Sequence, residues 1–69
     1  MKKKLFVSIV GTKDWQCKHL TFDNIFDFED YCKLYNPSKN KQIEDYTDLT
    51  DLCNIMSDCF VTFHYEWQK

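Results

Sequence analysis

The stretch FDFEDY, residues 26–31, decides the fold, because its alternating aromatic and acidic residues fit two periodicities. A period of two predicts a strand, whereas a period of 3.6 predicts a helix. No helix breaker occurs between residues 23 and 35. At helical spacing, five residues form a stripe about 120° wide: Ile25, Phe28, Tyr31, Cys32 and Tyr35. The sequence therefore predicts a helix over residues 23–35, with Thr21 or Asp23 as its N-cap.

Two apolar residues of this predicted helix fall outside its apolar stripe. Phe26 lies between Glu29 and Asp30 on the helical wheel, and Leu34 also lies on the acidic side. An exposed Phe ringed by carboxylates has no folding role and suits a binding hot spot. The competing explanation is that the segment 36–46 covers Phe26 and that the acids only keep the surface solvated.

The residues before this helix predict a β-hairpin. KLFVSIV, residues 4–10, is β-branched and apolar on both faces, which favours a central strand. GTKD, residues 11–14, predicts the turn. WQCKHLTF, residues 15–22, predicts the second strand, but its apolar residues change face halfway. That change predicts a bulge near Lys18 and His19 or an early end to the strand.

The second half of the chain predicts a loop, a helix and a final strand. NPSKNKQ, residues 36–42, reads as a loop, and IEDY, residues 43–46, as a short strand or more loop. Thr47 is the predicted cap of a helix over residues 48–59. In residues 60–67, an apolar alternation predicts a strand packed on both helices: Val61, Phe63, Tyr65 and Trp67. The order ββα(β)αβ predicts a small α+β domain over residues 1–69, with one antiparallel-rich sheet and two helices on it.

Composition limits the classes of protein that this chain resembles. Its 69 residues predict one domain, and six Phe, four Tyr and two Trp provide apolar area for a small core. The apolar run after Lys2, Lys3 and Lys4 is too short for a secretion signal. No stretch approaches the ~20 apolar residues of a membrane span. We therefore expect a cytoplasmic protein whose four cysteines are reduced.

The sequence predicts neither catalysis nor a cofactor. Cys17, His19, Cys53, Cys59 and His64 lack the paired spacing of zinc ligands, so we expect buried thiols and no metal. No nucleophile, phosphate-loop or dinucleotide motif is present, which predicts a protein that is not an enzyme. A net charge of −2 argues against direct binding of nucleic acid.

Charge is distributed unevenly along the chain. Residues 1–22 contain five Lys and one Asp, whereas residues 23–58 contain nine acids and three Lys. An acidic surface of this kind would steer a basic partner. The residues predicted to bind that partner are Phe26, Asp27, Glu29, Asp30, Glu44, Asp45, Asp48 and Asp51.

In type, the chain resembles the small early proteins that bacteriophages make to disable host machinery. The resemblance lies in its shortness and in its many Lys, Asn, Ile, Asp and aromatic residues, as low-GC genomes encode. No family motif is matched, so no residue role is carried over. Some proteins of this type present acidic surfaces that imitate DNA. The resemblance implies an inhibitor that acts in the host cytoplasm.

These observations lead to one main hypothesis and two alternatives. The main hypothesis is a non-enzymatic protein-binding module that inhibits a host protein, such as a basic nucleic-acid-binding protein, through an acidic and aromatic face. The first alternative is a small regulatory or structural subunit that acts through its sheet edge or as a homodimer. The second alternative is a small zinc protein or nucleic-acid-binding protein.

Overall fold

Three antiparallel strands and three α-helices form an α+β fold in the computed structural model, which describes residues 3–69. Lys2, which belongs to the N-terminal lysine cluster, lies outside the described residues. The fold class and the approximate order of elements agree with the sequence prediction. The elements are β1 (Leu5–Gly11), β2 (Lys18–Phe22), α1 (Ile25–Tyr35), α2 (Asn40–Glu44), α3 (Leu49–Met56) and β3 (Val61–Trp67).

Strand β1 is the central strand, as its apolar residues predicted. The sheet order is β2–β1–β3, and Leu5 at one end of β1 is paired with both Phe22 and Trp67. Its alternate residues Leu5, Val7 and Ile9 are fully buried beneath the helices. On its second face, Phe6 and Val10 are exposed, because the helices pack on the other side of the sheet.

The connection between β1 and β2 differs from the predicted hairpin. Residues Asp14–Gln16 form a 3₁₀ turn, and β2 begins only at Lys18. Trp15 therefore does not belong to a strand, which explains why the apolar alternation changes face in this segment. The turn is closed by backbone hydrogen bonds from Gln16 N to Lys13 O (3.0 Å) and from Cys17 N to Asp14 O (3.1 Å).

Helix α1 confirms the helical interpretation of FDFEDY, but its N-cap was predicted wrongly. The cap is Asn24, whose Oδ1 accepts a hydrogen bond from Asp27 N at 2.8 Å. Thr21 still belongs to β2, and Asp23 lies one residue too early to reach the free N–H groups of the first turn. Phe28 and Cys32 are the buried residues of the helix.

The segment predicted as a loop is largely helical. Pro37–Lys39 forms a 3₁₀ turn, and α2 follows it directly. The first two residues of IEDY, Ile43 and Glu44, are therefore helical and belong to neither a strand nor a loop. Pro37 disfavours helix at the residue before it, yet its fixed φ suits the first turn of a new helix. Because α2 has only five residues and buries only Ile43, it shows no apolar periodicity in the sequence.

Helix α3 is shorter at both ends than predicted. Its N-cap is Asp48 rather than Thr47, and it ends at Met56, before Cys59. The Lys39 ammonium donates to Ile55 O at 2.7 Å, which satisfies a free carbonyl in the last turn. Lys39 therefore ties the segment after α1 to the end of α3.

The final strand confirms its predicted alternation only in its first half. Val61 and Phe63 are buried, and the Phe63 ring meets Tyr35 edge to face at a centroid distance of 5.5 Å. Tyr65 and Trp67 are exposed, contrary to the prediction that they pack against the helices. Thr50 of α3 contacts Tyr65 through a hydrogen bond between Thr50 Oγ1 and Tyr65 Oη (3.0 Å). Strand β3 continues for two residues after Tyr65 and ends at Trp67.

The four cysteines are free and fall into two classes. Cys32 and Cys53 are buried, whereas Cys17 and Cys59 are exposed, contrary to the expectation of buried thiols. Burial raises the pKa of the Cys32 thiol to about 12 and that of Cys53 to about 11. Both buried thiols therefore stay protonated at neutral pH and contribute to the core as small apolar groups.

Within residues 3–69, no helix combines the length and the apolar character that crossing a membrane requires.

Candidate protein-binding site

Helices α1 and α3 both begin at the end of the sheet where Leu5 of β1 pairs with Phe22 of β2 on one side and with Trp67 of β3 on the other. Phe28, near the start of α1, lies 5.3 Å from Phe22 between ring centroids, whereas Tyr35 at its end contacts Phe63. In α3, Thr50 near the start contacts Tyr65. We call this region the acidic end, because the acids at the starts of the two helices lie there.

An open groove of about 590 Å³ lies at the acidic end. Phe26 stands on one side of it and is 72% exposed. The lining joins the start of α1, the α2–α3 connection and the end of β3, and most of it is apolar. The residues of this Phe26 groove are Lys3, Asp23, Asn24, Ile25, Phe26, Tyr46 and Trp67. The segment 36–46 therefore leaves Phe26 open to solvent, although Tyr46 from that segment forms part of the same groove.

Exposed carboxylates occur on α1, which carries Phe26 of the groove, and at the end of α2, which precedes Tyr46 of the groove. Asp27 and Asp30 of α1 are exposed, and so are Glu44 and Asp45 at the end of α2. Glu29 is half-buried and lies close enough to Tyr46 to raise the pKa of its phenol, although burial is the larger cause. The structure thus places carboxylates of both elements near a shared aromatic residue.

Two of the residues predicted to bind a partner also have a structural role. Asp48 Oδ1 accepts a hydrogen bond from Asp51 N at 2.8 Å, which caps α3. Asp51 Oδ2 accepts hydrogen bonds from Thr47 N (3.0 Å) and Thr47 Oγ1 (3.3 Å). Because these carboxylates satisfy the start of the helix, their substitution would disturb α3 as well as the surface. They are poor positions for a test of binding.

Lysines from the N-terminal segment reach the acidic end, so the two charged parts of the sequence are not separated in space. Lys3 lines the Phe26 groove. Lys4 Nζ lies 3.9 Å from Asp23 Oδ1, and both side chains are largely exposed. An ion pair this exposed contributes little to stability. It does offset one carboxylate at the edge of the groove, and the acids on α1 remain the main negative feature.

The sequence interpretation missed three apolar residues that line the groove, namely Ile25, Tyr46 and Trp67. The sequence predicts Ile25 as part of the apolar stripe, Trp67 as part of the core, and Tyr46 as the end of a short strand or of a loop. Trp67 is the last residue of β3, and the alternation that assigned it to the core gave no signal of its exposure. Alternation shows which face a side chain takes, but not how far the covering helices extend.

The face of the sheet opposite the helices has one pair of groups that could transfer protons. Ser8 Oγ and His19 Nδ1 are hydrogen-bonded at 3.2 Å, and His64 is paired with Ser8 from the other side. In the part of the chain that the structure describes, no three His, Cys, Asp or Glu side chains are grouped to hold a metal ion. Ser8 and His19 therefore contribute to a polar outer face, next to the exposed Phe6 and Val10.

Comparison with protein-family models, curated proteins and solved structures found no match to this chain. Its function is therefore inferred from the geometry and chemistry of its surface.

Proposed function

We propose that this chain is a non-enzymatic protein-binding module that binds a basic partner through the Phe26 groove. The observation that supports this function is the exposure of Phe26 in a largely apolar groove, on a helix whose Asp27 and Asp30 are also exposed. Aromatic residues in a desolvated pocket dominate binding energy at protein interfaces, and surrounding polar groups exclude water. The groove provides the pocket and the acids of α1 form the rim.

The chemistry of the groove defines the kind of partner that it fits. Ile25, Phe26 and Trp67 provide apolar contact for one protruding aliphatic or aromatic side chain. Asp27 and Asp30 lie on the exposed side of α1 and favour Lys or Arg next to that side chain. The partner is thus a protein surface with an apolar anchor flanked by basic residues. Surfaces that bind nucleic acid are rich in such basic residues.

An inhibitory role in the host cytoplasm follows from the same chemistry together with the resemblance to small phage proteins. A carboxylate row that occupies a basic surface would compete with nucleic acid for that surface. Glu44 and Asp45, which follow α1 in the chain, are also exposed and add negative charge to the surface. Binding would then be fast and sensitive to salt, because long-range attraction between opposite charges is screened by ions.

Capture from a bacterial lysate tests the groove when the immobilised protein is compared with two matched variants. Phe26→Ala removes the exposed aromatic of the groove, whereas Leu34→Ala removes an 83% exposed apolar residue near the other end of the same helix. We expect a basic protein that is captured by the wild type and by Leu34→Ala. Phe26→Ala should weaken its binding by about 2 kcal/mol, or about 30-fold in Kd. If Phe26→Ala captures this protein as well as Leu34→Ala does, the groove is not the binding site.

The outer face of the sheet supports a second candidate function, a small subunit that binds a partner through its sheet. Phe6 and Val10 are exposed there, near the two ends of the central strand. Substitution of Val10 with Lys distinguishes the two functions, because Val10 lies at the opposite end of β1 from the Phe26 groove. A partner that is lost with Val10→Lys and kept with Phe26→Ala would favour the sheet over the groove.

A further inference from the structure

A second cavity, of about 280 Å³, lies at the end of the molecule opposite the Phe26 groove. It is formed by the end of α1, the start of β3 and the 3₁₀ turn before β2, whereas the groove lies at the start of α1 and the end of β3. Three exposed aromatic side chains line it, namely Trp15, Tyr35 and Phe60. Asp58 and Lys18 add one charge of each sign. We call this site the Trp15 cavity.

Trp15 is presented in this cavity on a fixed piece of backbone. Gln16 Oε1 accepts a hydrogen bond from Thr12 Oγ1 at 3.1 Å, which closes the turn that contains Trp15. The turn folds back onto β1 because Gly11 has no side chain, and a Cβ atom there would collide with Gln16 Cβ. Thr12 N donates to Phe60 O at 3.2 Å. This hydrogen bond ties the turn of Trp15 to the segment of Phe60.

The aromatic rings of the cavity leave open space between them. Tyr35 is fixed at the end of α1 by an edge-to-face contact with Phe63, at a centroid distance of 5.5 Å, and by stacking with Tyr31 at 5.9 Å. Among residues 3–69, no close ring pair joins Trp15, Tyr35 and Phe60 to one another. Three aromatic surfaces are thus available to a ligand at one cavity.

Asp58 gives the cavity a negative charge at a fixed position. Its Oδ1 accepts hydrogen bonds from Phe60 N (2.7 Å) and Val61 N (3.0 Å). These hydrogen bonds lower the pKa of the Asp58 carboxyl group below its ordinary value, and Lys39 adds a smaller effect in the same direction. The carboxylate is therefore ionised at neutral pH.

The positive charge that lines the cavity does not neutralise this carboxylate locally. Within residues 3–69, no ion pair joins Lys18 to Asp58. Lys39 lies outside the lining, and its ammonium donates to a carbonyl of α3. Lys13 and Asp14 of the nearby turn also lie outside the lining and carry opposite charges. The cavity thus presents one separate charge of each sign beside its aromatic rings.

This lining defines the chemistry of a ligand. The faces of aromatic rings attract cations. They do not satisfy the N–H groups of a primary ammonium, whereas a quaternary ammonium has no N–H group to satisfy. Asp58 favours the same positive charge. Lys18 would repel a simple cation but would attract an anionic group on the same ligand.

We propose that the Trp15 cavity binds a zwitterion that carries a quaternary ammonium group and an anionic group, as phosphocholine does. The ammonium would lie against the three aromatic rings and near Asp58, and the phosphate would contact Lys18. Free phosphocholine and the headgroup of phosphatidylcholine share this chemistry. The inference does not rest on the proposed function, because the Phe26 groove lies at the other end of the molecule.

A titration of ¹⁵N-labelled protein with phosphocholine tests the proposal. We expect the indole N–H signal of Trp15 to shift with ligand concentration and to saturate in the millimolar range, while that of Trp67 stays unchanged. The carbon analogue, in which a tert-butyl group replaces the trimethylammonium group, has the same shape without the positive charge. Because it loses the attraction of the rings and of Asp58, it should bind about tenfold more weakly.

Three variants assign the charged groups. Asp58→Asn keeps an oxygen for the two backbone N–H groups but loses the charge, and it should weaken phosphocholine binding by about fivefold. Asp14→Asn is the matched control outside the lining and should bind like the wild type. Lys18→Gln should weaken the binding of phosphocholine and not that of choline, which has no anionic group.

Phosphatidylcholine vesicles distinguish the two sources of the ligand. Sedimentation of the wild type with vesicles, lost in Trp15→Ala, would assign a lipid headgroup. Binding of free phosphocholine without sedimentation would assign a soluble ligand. An unchanged Trp15 signal at millimolar phosphocholine, equal binding of the carbon analogue, or equal binding by Asp58→Asn and Asp14→Asn would overturn the proposal. None of these results affects the proposed function, which depends on Phe26.

Discussion

Phe63→Ala is expected to lower the free energy of unfolding by about 3–5 kcal/mol, the usual cost of removing a buried aromatic ring. Phe63 is only 3% exposed and its ring packs edge to face on Tyr35, so the substitution leaves a cavity between β3 and α1. A domain of this size has few kcal/mol of stability to lose. We expect the variant to be largely unfolded at room temperature, as measured by circular dichroism and urea titration.

Phe60→Ala is the matched control for this prediction. It makes the same chemical change three residues earlier, at a ring that is 62% exposed. The hydrogen bond from Phe60 N to Asp58 Oδ1 (2.7 Å) involves the backbone and is kept in the variant. Its stability should stay within about 0.5 kcal/mol of the wild type. Equal melting curves for the two variants would mean that β3 does not pack beneath the helices as described.

Charge reversal on α1 is expected to have the largest effect on partner binding. In the variant Asp27→Lys with Asp30→Lys, positive charges face a basic partner, and like charges across an interface cost several kcal/mol. Both carboxylates are exposed, so the fold should survive. Asp27 lies in the first turn of α1, where the loss of a negative charge costs roughly 0.3–1 kcal/mol of stability. Isothermal titration with the captured partner measures the loss of affinity directly.

A second double variant separates local repulsion from a change in net charge. Asp14→Lys with Glu66→Lys alters the net charge by the same amount at exposed positions outside the Phe26 groove. It should weaken binding only modestly and preserve the steep dependence on salt. Equal losses of affinity in the two double variants would show that the partner senses overall charge and that α1 is not the contact surface.

The elements with strong periodicity were predictable from the sequence. Apolar residues on both faces of residues 4–10 predicted the central strand, and the 3.6-residue spacing around FDFEDY predicted α1 with Phe26 on its outer side. The order of strands and long helices followed from these patterns. Their interiors were predictable because side chains on one face must meet the same apolar layer.

The short elements were not predictable for a physical reason. Helix α2 buries one residue, Ile43. The turn Pro37–Lys39 that precedes it is tied to α3 by a hydrogen bond between segments distant in sequence, from Lys39 to Ile55 O. The 3₁₀ turn at Trp15 depends on Gln16 packing against Gly11. Such contacts leave no periodic signal, because one residue decides the local structure.

The candidate site was predicted in part. Phe26 and the acids of α1 were identified because an aromatic residue among carboxylates violates the amphipathic pattern. Trp67 was missed because its exposure depends on where the helices stop covering the sheet, and Tyr46 was missed because it lies in the connection between α2 and α3, where no periodic pattern applies. Asp48 and Asp51 were assigned to binding, although their hydrogen bonds at the start of α3 give them a structural role as well.

The two tryptophans provide the most direct test of the central claim that the Phe26 groove binds the partner. Trp67 lines the groove, whereas Trp15 lies at the opposite end, so their indole N–H signals report separately on the two ends of the molecule. In ¹⁵N-labelled protein, dilute enough to be monomeric, addition of the captured partner should shift the Trp67 indole signal and leave that of Trp15 unchanged. A shift of Trp15 with an unchanged Trp67 would contradict the account.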